Sequence, residues 1–369
     1  MKVYLIVALS VCLGIGNGCK NISNEPIIIK VQAKGIPAKR LYISDAYNWE
    51  AFLDSADYVD GAFTFRYRTD SSFEPFPAII SFINQKGNIE TLTYFNPFLS
   101  TKKKQFSGST FVLEQKPISI DGDFHADRGI SIQAGKETDL LFKIQLIDFG
   151  YIGKGDSSAR SATIKKYCKL INENPSSYLL MRGIFNNKEQ YSKQELSTYL
   201  SLFSEKVQHS QIAHKLKTYV SLRSEPGMPL INLVLSTSKH ESKSIIDTNA
   251  KLNMLVFWAS WCGPCLMEIP YLKDIHAKLA DKGLNMVSIS MDKDNEMWKK
   301  ALVQQKMTWD QFIVNTIQKD SVEGIFNFSA IPTIVITDSA GNEILQSTGF
   351  DENHMQGFEK YISGYLNKK

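Results

Sequence analysis

Cysteine is scarce in this chain: five in 369 residues, at positions 12, 19, 168, 262 and 265. That scarcity excludes a scaffold stapled by disulfides, which is the usual recourse of small secreted domains. No second Cys or His pair answers Cys262 and Cys265, and the six histidines are scattered. A structural zinc site, which wants four ligands, therefore has little support. Beyond residue 15 no apolar run approaches the length needed to cross a bilayer. Neither sign of charge dominates, with 42 Lys and Arg against 38 Asp and Glu, so no nucleic-acid footprint is implied. Internal repeats and low-complexity tracts are also missing. What is left is an ordinary globular composition, 43% hydrophobic and 11% aromatic, in a chain long enough for two or three domains.

Residues 1–18 read as a targeting segment. Lys2 supplies a positive start, Val3 to Ile15 an apolar stretch, and Gly16-Asn17-Gly18 small residues ahead of Cys19. Cys19 looks like the lipidated cysteine of a bacterial lipoprotein signal, although Gly16 stands where the usual pattern has Leu. A plain secretory cut at the same bond is the competing reading. Both place the mature chain in the cell envelope, periplasm-facing or anchored to a membrane.

Three further segments follow. Residues 19–150 are β-rich: Ile27-Ile28-Ile29-Lys30-Val31, Phe63-Thr64-Phe65-Arg66-Tyr67, Ala78 to Ile83, Leu92 to Phe95, Phe111 to Leu113 and Ile118 to Ile120 are short strands parted by turns such as Asp60-Gly61 and Asp121-Gly122. That spacing predicts an antiparallel sandwich or barrel-like domain. His125 with Asp123 and Asp127 reads as an exposed turn rather than a site. Residues 151–225 are helical, with breaks at Asn174-Pro175 and before Lys193, one helix over Lys193 to Gln208, and another through Ile212, Leu216 and Tyr219. This stretch holds twelve Lys and Arg against six Asp and Glu; a solvated helical surface is the simplest account, an acidic partner or anionic lipid the other. Cys168, in its first helix, reads as a small buried hydrophobe. From residue 226 to 369 strands and helices alternate: strands at Leu252–Trp258, Leu284–Ser290, Pro332–Thr337 and Glu343–Ser347, and helices at Gly263–Asp281, Asp294–Lys306, Ser321–Phe326 and Asn353–Leu366. This predicts an α/β domain whose first half is parallel with a right-handed crossover.

The chemistry concentrates at Trp261-Cys262-Gly263-Pro264-Cys265, where the apolar strand Leu252–Trp258 hands over to a helix. Two cysteines so spaced form a dithiol that opens and closes as a disulfide. A helix N-terminus carries partial positive charge and unpaired N–H groups, so it favours a thiolate. Pro264 suits the first turn. A purely structural disulfide is the weaker alternative, because closing so short a loop gains little chain entropy.

Phe257 to Cys265, with Glu268 and Pro270 after it and Ile331-Pro332-Thr333 further on, resembles the thioredoxin superfamily, and within it the TlpA/ResA-like branch of envelope thiol–disulfide oxidoreductases. The resemblance covers residues 226–369; the region ahead loosely resembles the β-rich extension of lipoprotein members. It implies a thioredoxin fold at the C-terminus and an enzyme needing no cofactor. Cys262 would be the exposed nucleophile and Cys265 the resolving thiol. Trp261 would shape the docking rim, and a cis Pro332 would present the backbone of Ile331 to substrate. Thioredoxin's buried Asp, six residues before the first cysteine, is Val256 here. Glu268, one turn beyond Cys265, would stand in for it as a partly buried proton acceptor with a raised pKa; a surface helix glutamate is the plainer reading. Pro270 should kink the helix. Cys-Gly-Pro-Cys is thioredoxin's own motif, with a potential of about −270 mV, which implies a reductant of protein disulfides recharged by a membrane electron donor. Candidate substrates are apocytochrome thiols, damaged envelope proteins or one dedicated partner. Two other functions compete: a partner- or ligand-binding lipoprotein with a subsidiary redox module, and a peroxiredoxin-like peroxidase. The latter wants Pro-x-x-x-Thr-x-x-Cys, and the run ending at Cys262 lacks both Pro and Thr.

Overall fold

The computed structural model describes residues 25–99, 108–126, 129–144, 150, 152, 157–223, 227–315 and 318–367. The targeting segment 1–18, Cys19 and Asp127 lie outside the described residues. The chain divides into two compact units, Met1–Lys143 and Ile144–Lys369.

The first unit contains, among its described residues, strands β1 (Ile27–Val31), β2 (Arg40–Asp45), β3 (Asn48–Val59), β4 (Ala62–Tyr67), β5 (Phe76–Ile83), β6 (Ile89–Thr91), β7 (Thr110–Leu113), β8 (Ile118–Gly122) and β9 (Ile130–Gln133). They hydrogen-bond in the order β6-β5-β2-β3-β4-β1-β8-β9, with β7 on β5. Period-two alternation turns Ile27, Ile29 and Val31 inward with Leu41, Ile43, Phe63, Phe65, Ile80, Phe82 and Ile120, so both halves of the sheet share one core. The sheet's two ends meet where Tyr94 bridges Ile130 and the Phe95 N–H donates to the Ile130 carbonyl at 2.7 Å, which gives a barrel-like closure. Two details depart from the sequence reading. β1 and β8 pair in parallel. Residues Lys136–Ile144 form a helix, α1, inside the stretch read as strands; Leu140 and Phe142 are buried there, and the Thr138 hydroxyl caps β7 by accepting from the Val112 N–H at 2.9 Å. Asp123 and His125 form a turn, the carboxylate accepting from the His125 N–H at 2.9 Å.

In the second unit, helices α2 (Ser157–Glu173), α3 (Tyr178–Asn186), α4 (Lys193–Leu202), α5 (Glu205–Gln208) and α6 (Gln211–Leu222) come first. Ser192 and Glu195 make a capping box at the start of α4. The single helix expected over Lys193 to Gln208 is two, because Phe203 turns extended and buries its ring, while Ser204 N–H donates to the Pro175 carbonyl at 2.8 Å. Cys168 is half-buried and free rather than fully buried.

The remaining elements are β10 (Val234–Thr237), β11 (Ser242–Ser244), β12 (Leu252–Trp258), α7 (Gly263–Leu279), β13 (Leu284–Ser290), α8 (Asn295–Gln305), β14 (Asp310–Ile313), α9 (Lys319–Phe326), β15 (Thr333–Asp338), β16 (Glu343–Thr348) and α10 (Glu352–Leu366). The sheet order is β11-β10-β14-β13-β12-β15-β16. β12, β13 and β14 are parallel, and β15 and β16 antiparallel. β12 is buried along its whole length. Met254 and Val256 pack with Leu272, Ile275, Phe358 and Ile362 of α7 and α10. Leu255 and Phe257 pack on the other side with Val322, Ile325 and Phe326 of α9. A strand covered on both faces reads as a continuous apolar run, as Leu252–Trp258 does. α7 passes into a short turn that Gly283 stops in the left-handed conformation, φ 102°. The sheet thus delivers the end of β12 and the start of α7 to one point on its edge.

Candidate active site

Cys262 and Cys265 form a disulfide at the first turn of α7. Cys262 is the N-cap: its sulfur accepts the backbone N–H of Cys265 at 3.2 Å. That contact, added to the unpaired N–H groups of the helix start, stabilises negative charge on Cys262 once the bond is reduced. Both residues are buried, Cys262 retaining 5% of its surface and Cys265 1%. The expectation of an exposed nucleophile is corrected accordingly. Trp258, Trp298 and Ile269 wall the pair in from behind, and only a sliver of Cys262 faces out.

The Ile331–Pro332 peptide is cis, and the Ile331 carbonyl oxygen lies 3.7 Å from Cys262 Sγ. A disulfide sulfur has no proton to donate, so this contact is packing in the oxidised state. The loop is held by the Thr333 hydroxyl, which donates to the Ala330 carbonyl at 2.7 Å, and by Gly349 N–H on the Pro332 carbonyl at 2.8 Å. Trp261 projects outward, 67% exposed. It lines a groove of about 270 Å³ together with Met291, with Lys319 and Glu323 of α9, and with the stretch Phe328 to Ile331.

Glu268 is 1% exposed, so the surface-glutamate reading falls. Among the described residues its Oε2 has no hydrogen-bond partner, and the indole N–H groups of Trp258 and Trp298 are likewise buried without one. Burial alone pushes the Glu268 carboxyl up to about 8. Val256, in the strand position where thioredoxin has its aspartate, is buried among apolar side chains. The carboxyl behind the dithiol is therefore carried by the helix. Pro270 sits inside α7.

One residue escaped the sequence reading. Asp292, buried just past β13, accepts the Ser260 N–H at 2.9 Å, the Ser260 hydroxyl at 2.7 Å and the Ser290 hydroxyl at 2.7 Å. The Met291 N–H also donates to the Trp258 carbonyl at 2.8 Å. These bonds pin the segment that enters Trp261 and Cys262. The signal was a lone Asp after Ser288-Ile289-Ser290-Met291, meaningful only once β13 is known to lie beside β12. Among the described residues no group of three or more His, Cys, Asp or Glu gathers to hold a metal ion.

Residues 249–343 match the family model described as thioredoxin-like. Thiol-disulfide oxidoreductase ResA of Bacillus thuringiensis is 24% identical over 142 residues, 38% of this chain and 77% of the relative. ResA of Oceanobacillus iheyensis is 30% identical over 102 residues, 27% of this chain and 52% of the relative. Among solved structures, the thioredoxin domain of a thiol-disulfide oxidoreductase from Bacteroides vulgatus aligns at 26% identity and a TM-score of 0.34, covering 38% of this chain and 99% of that domain. With a redox disulfide at the head of α7 and a matching family model around it, the C-terminal domain belongs to the thioredoxin superfamily, as a thiol–disulfide oxidoreductase of the ResA-like kind.

Proposed function

We propose that the chain reduces protein disulfides in the bacterial cell envelope, tethered to a membrane through lipidated Cys19 and recharged by a membrane electron donor. The observation that carries the chemistry is the Cys262–Cys265 disulfide capping α7, with the buried Glu268 carboxyl one turn further along the helix. In the reduced form the Cys262 thiolate attacks one sulfur of a substrate disulfide and expels the other as a thiolate, which takes a proton. The substrate stays joined to Cys262 as a mixed disulfide. The ionised fraction of Glu268 takes the proton of Cys265, whose sulfur attacks Cys262 Sγ and expels the second substrate thiolate, and that thiolate takes up the proton in turn. Two electrons have left the dithiol, and the internal disulfide remains. Trp261, Ile331 and Pro332 form the surface on which the substrate chain rests. Envelope placement follows from the leader-like residues 1–18; among the described residues no helix is long and apolar enough to cross a membrane.

The midpoint potential tests the direction. A value near about −270 mV supports a reductant, and one near about −120 mV makes the protein an oxidant. Cys265→Ser, expressed in the envelope, should accumulate mixed disulfides on Cys262 whose captured partners name the substrate class.

A second reading, a partner-binding lipoprotein with a subsidiary redox module, draws on the first unit, where Tyr47, Trp49, Phe52 and Leu53 are exposed together along β3 and its turn. Alanine at Trp49 and Phe52 would favour this reading if it cut recovery of a trapped partner while leaving the reduction of a small disulfide untouched.

A further inference from the structure

The helices ahead of the sheet lie outside the region that matches the thioredoxin-like family, yet they reach the groove wall beside the dithiol. α6 lies so close to α9 that a Cβ on Gly324 would stand 3.0 Å from the Tyr219 carbonyl oxygen and 3.1 Å from its Cα. Two polar contacts fix this approach. Lys188, 4% exposed, places Nζ 3.2 Å from Glu323 Oε2, over the rings of Phe185 at 4.4 Å and Tyr219 at 5.2 Å. The Tyr219 hydroxyl donates to Asn327 Oδ1. Both acceptors belong to the machinery of the groove. Glu323 lines it. Asn327 is the left-handed C-cap of α9, φ 48°, and the next four residues, Phe328 to Ile331, form the rest of that wall and lead into the cis proline. The Asn327 carbonyl is held as well, by Gln346 Nε2 at 3.2 Å.

We infer that the helical segment is a brace for the substrate groove, with Lys188 and Tyr219 as positioning residues that set α9 and the loop 328–331 against the dithiol. An unbraced Glu323 would be a half-buried carboxylate without its cation, free to swing into the groove. An unbraced Asn327 would let the C-cap and the following loop relax. Neither change touches the sulfurs. The brace therefore acts on substrates large enough to fill the groove and not on a small disulfide that needs only Cys262. The inference rests on the proposed reading of this dithiol as the site of substrate exchange.

The test compares two oxidised substrates, insulin and the small aromatic disulfide dithiobis-nitrobenzoate, with the full-length protein carrying Tyr219→Phe or Lys188→Met. Tyr219→Phe removes one oxygen and keeps the ring, so the fold survives even if the lysine variant does not. For insulin, KM should rise roughly tenfold with kcat little changed, the scale of losing one buried hydrogen-bonded contact. Reduction of the aromatic disulfide should stay at the wild-type rate, and Lys188→Arg should recover most of the insulin KM. Equal slowing on both substrates, or no change on either in a folded variant, overturns the brace. If the wild type reduces neither disulfide, the reading of the dithiol has failed instead. Amide exchange at residues 324–331 then decides the brace on its own: faster exchange in Tyr219→Phe supports it, and unchanged exchange refutes it.

Discussion

β3 and β12 both sit in the middle of their hydrogen-bonding orders, yet β12 is buried at every residue and β3 is exposed at nearly all of its positions. A central place in a sheet therefore does not bury a strand; the layers above and below do. β12 lies between α7 with α10 on one face and α9 on the other. β3 meets β4 only at its far end, through Tyr58 and Val59, and Trp49, Phe52 and Leu53 remain exposed. The difference decides where redox chemistry can live. A dithiol at the end of β12 inherits a dry support, where burial raises the Glu268 carboxyl to about 8. A reactive pair on β3 would sit in water, with nothing to tune it.

The largest way to break this comparison is Cys262→Ser, which should abolish disulfide reduction altogether; retained turnover in a steady-state assay would remove Cys262 as the nucleophile. Next comes Glu268→Gln. Resolution should slow by roughly 10²-fold, read as a mixed disulfide that persists after rapid mixing. The same variant tests burial. A carboxyl raised from 4.5 to about 8 binds more protons folded than unfolded, so its contribution to stability is full below pH 4.5 and is lost as pH rises through 8. The oxidised wild type should lose stability across that window, by a few kcal/mol at most, and Glu268→Gln should flatten that part of the profile in denaturant melts.

The two strands can then be set against each other directly. Leu255→Ala on β12 should cost about 2–5 kcal/mol, while Leu53→Ala on β3 should stay within about 0.5 kcal/mol, both by chemical denaturation. Comparable losses would mean that β3 is covered in solution. Asp292→Ala lies between them, at about 1–3 kcal/mol for the stranded Ser260 N–H, with slower attack by Cys262 in a stopped-flow trace because the preceding segment is no longer pinned.

What could be read in advance follows the same divide. The β12–α7–β13 unit and the β15–β16–α10 end were legible because apolar runs, Gly283 and the turn at Asp338 to Asn342 mark them locally. β10, β11 and β14 were not, being short and partly polar strands that exist by pairing. α1 was hidden among strand-like residues because its burial depends on the core it closes. The parallel pairing of β1 with β8 joins segments far apart in sequence, which no local pattern records. At the site, the disulfide pair, Trp261, Glu268 and the cis proline lay within motifs. The partners of Asp292, the burial of Cys262 and the contacts of Lys188 depend on tertiary neighbours alone.

Because Glu268 rides on α7 and not on the strand beneath it, both sulfurs and the carboxyl behind them belong to one continuous piece of chain, residues 262–268. A tilt or slide of that helix during docking would carry electron carrier and proton carrier together, keeping their spacing while the contact with the Ile331 carbonyl opens. The segment is in that sense portable. Grafted with its Val256 background into a thioredoxin whose strand aspartate has been removed, it should bring its own proton store with it.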